Sequence, residues 1–182
     1  MKQILLTCVM AVAGMSFVPA DEKATAPEQK TEQESEFVTS TFLITGLHCP
    51  PCAQTVEESL RGIKGVKSAK VDWKTKNARV EFDELLIPAQ QLSNRIAATS
   101  HMMGGDMKYS GWLALEVADL KETDDAEWDR LKDALGKVEG VKQVVAYKAK
   151  SGVGVRFAPK GELTTVKLIA AVTDAGFKLS NY

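Results

Sequence analysis

The feature that most constrains the fold is an internal repeat between the two halves of the chain. Apolar and charged residues recur at an offset of 75 positions, and the register holds through a helix, a turn and two strands. The matched pairs are Leu60 and Leu135, Val66 and Val141, Lys67 and Lys142, Val80 and Val155, and Phe82 and Phe157. Ile96-Ala97-Ala98 also matches Ile169-Ala170-Ala171 across a small gap. The repeat predicts two copies of one structural unit.

Each copy has the periodicity of strand, helix, strand, strand, helix, strand. In the first copy, Val56 and Leu60 recur at helical spacing, whereas Val80 and Phe82 alternate with charged residues as on a half-buried strand. A short strand near residues 107–109 is expected to close the first copy. One sheet face covered by two helices is the ferredoxin-like arrangement. The predicted fold class is α+β, with two tandem ferredoxin-like βαββαβ domains.

The N-terminus has the pattern of an export signal. Lys2 precedes an apolar run over residues 4–17 that is too short to span a bilayer, and Ala20 ends a cleavage-site pattern. An uncleaved membrane anchor is the alternative. The predicted segments are a signal peptide (1–20), a disordered polar leader (21–36), a first domain (37–110) and a second domain (111–182). This predicts a periplasmic or secreted protein with no membrane insertion after signal cleavage.

The charge balance excludes some classes of partner. The formal net charge is −1 at pH 7, so the chain lacks the basic surface that binds nucleic acid and the polybasic patch that binds membranes.

Two cysteines, Cys49 and Cys52, remain once the predicted signal is removed with Cys8. A disulfide between residues so close in sequence closes a very small loop and stabilises a fold little, so this spacing favours metal or redox chemistry. Both cysteines fall between the first predicted strand and helix, where the helix dipole lowers thiol pKa values. Soft thiolates favour Cu(I), Hg(II) and, less sharply, Zn(II).

The segment Gly46-Leu47-His48-Cys49-Pro50-Pro51-Cys52 resembles the Gly-Met-Thr-Cys-x-x-Cys motif of heavy-metal-associated domains. This family includes copper chaperones, modules of metal-pumping ATPases and periplasmic mercury-binding proteins. The resemblance covers about residues 36–109 and implies that Cys49 and Cys52 are metal ligands. It also implies a metal-transporting ATPase or another metal-accepting protein as partner. Leu47 and His48 stand where the family usually has Met and Thr.

Four further side chains are candidate auxiliary ligands. His48 precedes Cys49, and His101, Met102 and Met103 follow the second helix, in a loop that also contains Met107. In a βαββαβ unit the first strand and the second helix run toward the same end, so we expect this loop to meet the cysteine loop. Imidazole and thioether groups suit Cu(I). The alternative is that Met102 and Met103 fill an irregular gap in the core.

The second copy has lost the cysteine motif. At the offset of 75, Lys121, Asp124 and Glu127 stand in the places of Gly46, Cys49 and Cys52. One interpretation is a hard-cation site, but two carboxylates are few for Ca²⁺. We favour the other interpretation, acidic residues that interact with the helix dipole at a helix start.

The sequence therefore predicts an exported protein that binds one soft ion, with Cu(I) expected and Hg(II) or Zn(II) as alternatives, and that buffers or delivers it by thiolate exchange. No pair of residues for general acid–base or nucleophilic catalysis is apparent, so an enzyme is not expected. Two alternatives remain: a thiol–disulfide oxidoreductase that uses the same cysteines, and an interaction module in which they form a structural disulfide. Haem attachment is excluded because Ala53, not His, follows the second cysteine.

Overall fold

The computed structural model describes residues 37–182, which form six strands and four α-helices. The elements are β1 (Phe37–Thr45), α1 (Pro50–Arg61), β2 (Val66–Asp72), β3 (Asn77–Asp83), α2 (Ala89–Ala98), β4 (Ser110–Glu116), α3 (Asp125–Gly136), β5 (Val141–Tyr147), β6 (Gly152–Phe157) and α4 (Thr165–Asp174). The predicted signal peptide and leader lie outside the described residues.

The strands form one antiparallel sheet in the order β2-β3-β1-β4-β6-β5. Alternate residues of each central strand are buried, as Leu113 and Leu115 of β4 are, opposite Val155 and Val153 of β6. The four helices cover this face and share one core with it, because a strand presents successive side chains to opposite faces. The α+β class and the ferredoxin-like order of the first copy are therefore observed.

Strand β4 belongs to both copies. Its first five residues pair with β1, from Thr45 opposite Ser110 to Thr41 opposite Ala114. Val117, the residue directly after β4, forms an antiparallel bridge with Leu179, which follows α4. Thus β4 is the last strand of the first copy and the first strand of the second.

This shared strand differs from the prediction of two tandem domains, which is not confirmed. The boundary predicted between residues 110 and 111 falls inside β4, and residues 107–109 form no strand. The physical reason is that the linking sequence has one alternating apolar run, Gly111, Leu113 and Leu115. A single run supplies a single strand, so both copies use it.

The positions of the second helices correct one sequence match. The helices α1 and α3 begin 75 residues apart, but α2 and α4 begin 76 residues apart, at Ala89 and Thr165. At that offset the fully buried Leu92 and Ile96 correspond to Leu168 and Val172, which are also fully buried. The predicted equivalence of Ile96 with Ile169 is therefore wrong by three residues, a little less than one helical turn. A shift of three residues nearly reproduces the apolar pattern of a helix, so the sequence alone misplaced it.

A carboxylate from the first copy binds the helix start of the second. The side chain of Glu84, which follows β3, accepts hydrogen bonds from the backbone N–H groups of Thr165 and Val166. These N–H groups belong to the first turn of α4, where no intrahelical acceptor is available. The contact also places a negative charge at the positive end of the helix dipole.

Across residues 37–182, no helix has both the length and the apolar character needed to cross a membrane.

Candidate metal centre

The cysteine motif lies where β1 ends and α1 begins. Cys49 is the N-cap of α1, with extended backbone angles, and Pro50 and Pro51 occupy the first two helical positions. Proline fits there because its missing N–H would have no intrahelical acceptor. The Sγ atom of Cys49 accepts a hydrogen bond from the backbone N–H of Cys52, at 3.3 Å. Both sulfur atoms are therefore held at the positive end of the helix dipole.

The two cysteines form a disulfide in this structure, with their Cα atoms 5.3 Å apart. Cys52 is fully buried and belongs to the core, whereas Cys49 is only partly buried and packs at its edge. The backbone therefore brings the two sulfurs together without any other element. After reduction, the same backbone would direct two thiolates toward one ion.

Gly46 shapes the loop that precedes the cysteines. Its φ is +91°, a region that favours glycine, and a Cβ atom there would lie 2.7 Å from the carbonyl oxygen of Lys108. The next residue, Leu47, is 1% exposed and anchors the loop in the core. Leucine and methionine have similar volumes, so Leu47 can fill this position under the loop where the family usually has Met.

The loop after α2 meets the cysteine loop, as the topology predicts. The Nε2 atom of His101 lies 3.1 Å from the carbonyl oxygen of Gly46, and its Nδ1 accepts a hydrogen bond from the backbone N–H of Met103, at 3.2 Å. Because Nδ1 accepts, Nε2 carries the proton and donates to Gly46. Both ring nitrogens are thus engaged, and His101 would have to break one of these bonds to bind a metal ion.

The rings of two histidines and a tyrosine pack in a row at the cysteine motif. The ring centroids of His48 and His101 are 4.9 Å apart, and those of His101 and Tyr109 are 4.6 Å apart. His48 is exposed, whereas Tyr109 is 2% exposed and forms the base of the stack. Sequence reasoning did not assign Tyr109 to the site. The signal was present, since Tyr109 continues the alternation of buried residues in β4 and so points to the same face.

The methionines of this loop lie at the surface. Met102 is 57% exposed, Met103 is 68% exposed and Met107 is 48% exposed. The alternative that Met102 and Met103 fill a gap in the core is therefore wrong.

The equivalent position in the second copy contains no comparable group of soft ligands. Asp124 is the N-cap of α3, and both carboxylate oxygens of Glu127 accept hydrogen bonds from Arg130, at 2.8 and 2.9 Å. Within residues 37–182, His, Cys, Asp and Glu side chains form no group of three or more that could hold a metal ion. Since β1 and β4 are antiparallel, this loop also lies at the opposite end of the sheet from the cysteines. The geometry supports acidic residues at a helix start.

Comparison with known proteins places this geometry in a family. Residues 41–101 match the model of the heavy-metal-associated domain. The chain is 36% identical to the copper chaperone CopZ of Enterococcus hirae over 55 residues. The aligned region covers 30% of this chain and 80% of that protein. The chain belongs to the heavy-metal-associated domain family. The matched region contains the cysteine motif, His48 and His101.

Two ATPases are also similar to parts of this chain. The chain is 31% identical to the copper-transporting ATPase HMA5 of Oryza sativa over 67 residues. The aligned region covers 37% of this chain but only 7% of that ATPase. Among solved structures, the water-soluble region of the P-type ATPase CopA from Bacillus subtilis is 25% identical to this chain, with a TM-score of 0.40. The aligned region covers 80% of this chain and 91% of the CopA chain. So low a TM-score adds nothing to the topology described above.

Proposed function

We propose that this protein binds one soft metal ion, with Cu(I) as the expected cargo, through the reduced thiolates of Cys49 and Cys52. The observation that carries the proposal is the pair of sulfur atoms held together at the start of α1. Thiolates are soft ligands that select Cu(I) over hard cations. The similarity to copper chaperones supports Cu(I), and the same sulfur pair also suits Hg(II) or Zn(II).

The unequal burial of the two cysteines supports transfer by ligand exchange. Cys49 is partly exposed, so a thiolate from a partner can reach the ion on that side, while Cys52 is fully buried. The partner's thiolate binds the ion first, Cys49 then leaves it, and Cys52 leaves last as a second partner ligand binds. The ion keeps at least two sulfur ligands throughout. A metal-transporting ATPase or another metal-accepting protein with its own cysteines fits this route, and the export signal predicted from the sequence would place the exchange in the periplasm or outside the cell.

The deciding experiment is metal analysis of the reduced full chain titrated with Cu(I), Hg(II) and Zn(II). We expect about one Cu(I) per chain, with tight binding lost in Cys49→Ser, in Cys52→Ser and after oxidation to the disulfide. Gln54→Ala is the matched control, because Gln54 is exposed on the same helix. Wild-type affinity in the variant that carries both serines would show that the site lies elsewhere.

One observation favours a second candidate function, thiol–disulfide exchange. The disulfide lies at a helix start, and Cys49 is the more exposed of its two cysteines. In that reaction a thiolate of a substrate dithiol attacks the sulfur of Cys49 and displaces the thiolate of Cys52. The second thiol of the substrate then attacks the mixed disulfide and releases the thiolate of Cys49. The substrate dithiol becomes a disulfide, and its two electrons reduce the Cys49–Cys52 bond. Catalytic thiol–disulfide turnover, with either a dithiol or a disulfide as substrate, would favour this function over metal transfer if Cys49→Ser abolished it.

A further inference from the structure

The loop over residues 101–107 contains three methionines that the core does not explain. Met102, Met103 and Met107 are each about half exposed or more, although burial is the usual reason to place methionine in a small domain. Cβ atoms built at the neighbouring Gly104 and Gly105 would meet no atom within 4 Å, so the loop is open to solvent on this side. The segment that follows α4 in the second copy, residues 175–182, contains no methionine.

A turn presents two of these methionines together. The backbone N–H of Gly104 donates to the carbonyl oxygen of His101, at 3.0 Å, so Met102 and Met103 are the two central residues of the turn. Side chains at the centre of a turn project outward from it. The turn therefore presents two adjacent thioethers to solvent, with Met107 a few residues further along the same loop.

His101 attaches this turn to the cysteine loop. One ring nitrogen accepts from the backbone N–H of Met103, and the other donates to the carbonyl oxygen of Gly46, three residues before Cys49. Its ring also stacks on that of His48, next to Cys49 in sequence. His101 therefore ties the backbone of the turn that carries Met102 and Met103 to the backbone of the loop that leads to Cys49. His101 acts here as a positioning residue, since both of its nitrogens are occupied.

We infer that Met102, Met103 and Met107 form a second soft-metal site, which takes Cu(I) when the cysteines are a disulfide. A disulfide offers no thiolate, but a thioether needs no reduction or deprotonation to bind Cu(I). The metal class rests on the proposed function, but the site does not depend on the cysteines. The hydrogen bonds of His101 to both loops give Cu(I) a short route from this site to the thiolates after reduction.

The test uses the oxidised full chain and Ag(I), a soft monovalent ion that does not change redox state. The variant Met102→Leu, Met103→Leu and Met107→Leu removes the thioethers at nearly constant volume. We expect the oxidised wild type to bind about one Ag(I) per chain, with changed chemical shifts of the methionine methyl groups, and the triple variant to bind at least about tenfold more weakly. Val166→Leu is the control, since Val166 is 62% exposed on α4 of the other copy.

Two further measurements separate this site from the cysteine site. The variant Cys49→Ser with Cys52→Ser should bind Ag(I) as the oxidised wild type does, while the reduced triple methionine variant should still bind Cu(I) through its thiolates. Unchanged Ag(I) affinity in the oxidised triple variant, or methionine methyl groups that do not respond to Ag(I), would overturn the proposal. Absence of Cu(I) binding by the reduced triple methionine variant would instead count against the cysteine site alone.

Discussion

Gln90 and Leu163 exchange two hydrogen bonds between the copies. The backbone N–H of Gln90 donates to the carbonyl oxygen of Leu163, at 3.1 Å, and the Oε1 of Gln90 accepts from the backbone N–H of Leu163, at 2.9 Å. The side-chain amide of Gln90 also donates to the carbonyl oxygens of Ala158 and Lys160, at 2.8 and 2.9 Å. Gln90 is fully buried, so one side chain of α2 satisfies three backbone groups of the second copy.

Replacing this side chain should destabilise the whole fold. Gln90→Ala leaves the N–H of Leu163 and two carbonyl groups without their partner, and we expect a loss of about 2–4 kcal/mol in the free energy of unfolding. Urea unfolding measures it. Gln91→Ala is the control, because Gln91 is exposed on the same helix, and its effect should stay within about 0.5 kcal/mol. Equal effects of the two variants would show that the link between the copies contributes little.

The backbone at Gly46 gives a second prediction. Gly46→Ala should destabilise the protein and weaken metal binding, because the added Cβ would lie 2.7 Å from the carbonyl oxygen of Lys108 in the neighbouring loop. Gly104→Ala is the matched control, with a φ of +68° and no atom within 4 Å of the added Cβ. We expect a loss of about 1 kcal/mol for the control and at least about twice that for Gly46→Ala. Denaturant unfolding of both variants measures the two losses in the free energy of unfolding. Equal losses would contradict the prediction.

The two cysteines should differ in their contribution to stability. Cys49→Ser and Cys52→Ser each remove the disulfide, so the difference between them reports the local environment. A serine at position 49 still caps α1, because its hydroxyl can accept from the N–H of Cys52. A serine at position 52 buries a hydroxyl in the core, where Cys52 is 0% exposed. Cys52→Ser should therefore be less stable by about 1–3 kcal/mol in urea unfolding, and equal stability would contradict the assigned burial.

Tyr182 should lose its hydroxyl proton at a higher pH than an ordinary tyrosine does. Burial raises the pKa of Tyr182 from 10.0 to about 12, while its hydroxyl donates a hydrogen bond to the Oγ of Ser40, at 2.9 Å. The unfolded chain loses this proton first, so stability should fall as the pH rises from 10 to about 12. Because Tyr182 is 37% exposed, solvent screening keeps the loss modest. Tyrosinate absorbance should show a group near pH 12 that Tyr182→Phe removes, and an unchanged titration in that variant would contradict the assignment.

The candidate site could be predicted largely because its signals are local. Two cysteines separated by two prolines indicate a helix start, and α1 does begin at Pro50 with Cys49 as its cap. The approach of His101 to the cysteine loop followed from topology alone, since the first strand and the second helix run toward the same end. The engagement of both His101 nitrogens did not follow, because it depends on the placement of backbone groups at Gly46 and Met103.

The sequence by itself determined the four helices, the buried face of the central strands and the positions of the cysteines, because side-chain periodicity and spacing record all three. Only the tertiary structure decided that β4 serves both copies and that Gln90 joins them. Apolar alternation along Gly111, Leu113 and Leu115 shows which face of a strand is covered. It does not show which strands lie at its edges, because edge pairing uses backbone N–H and C=O groups that nearly every residue has.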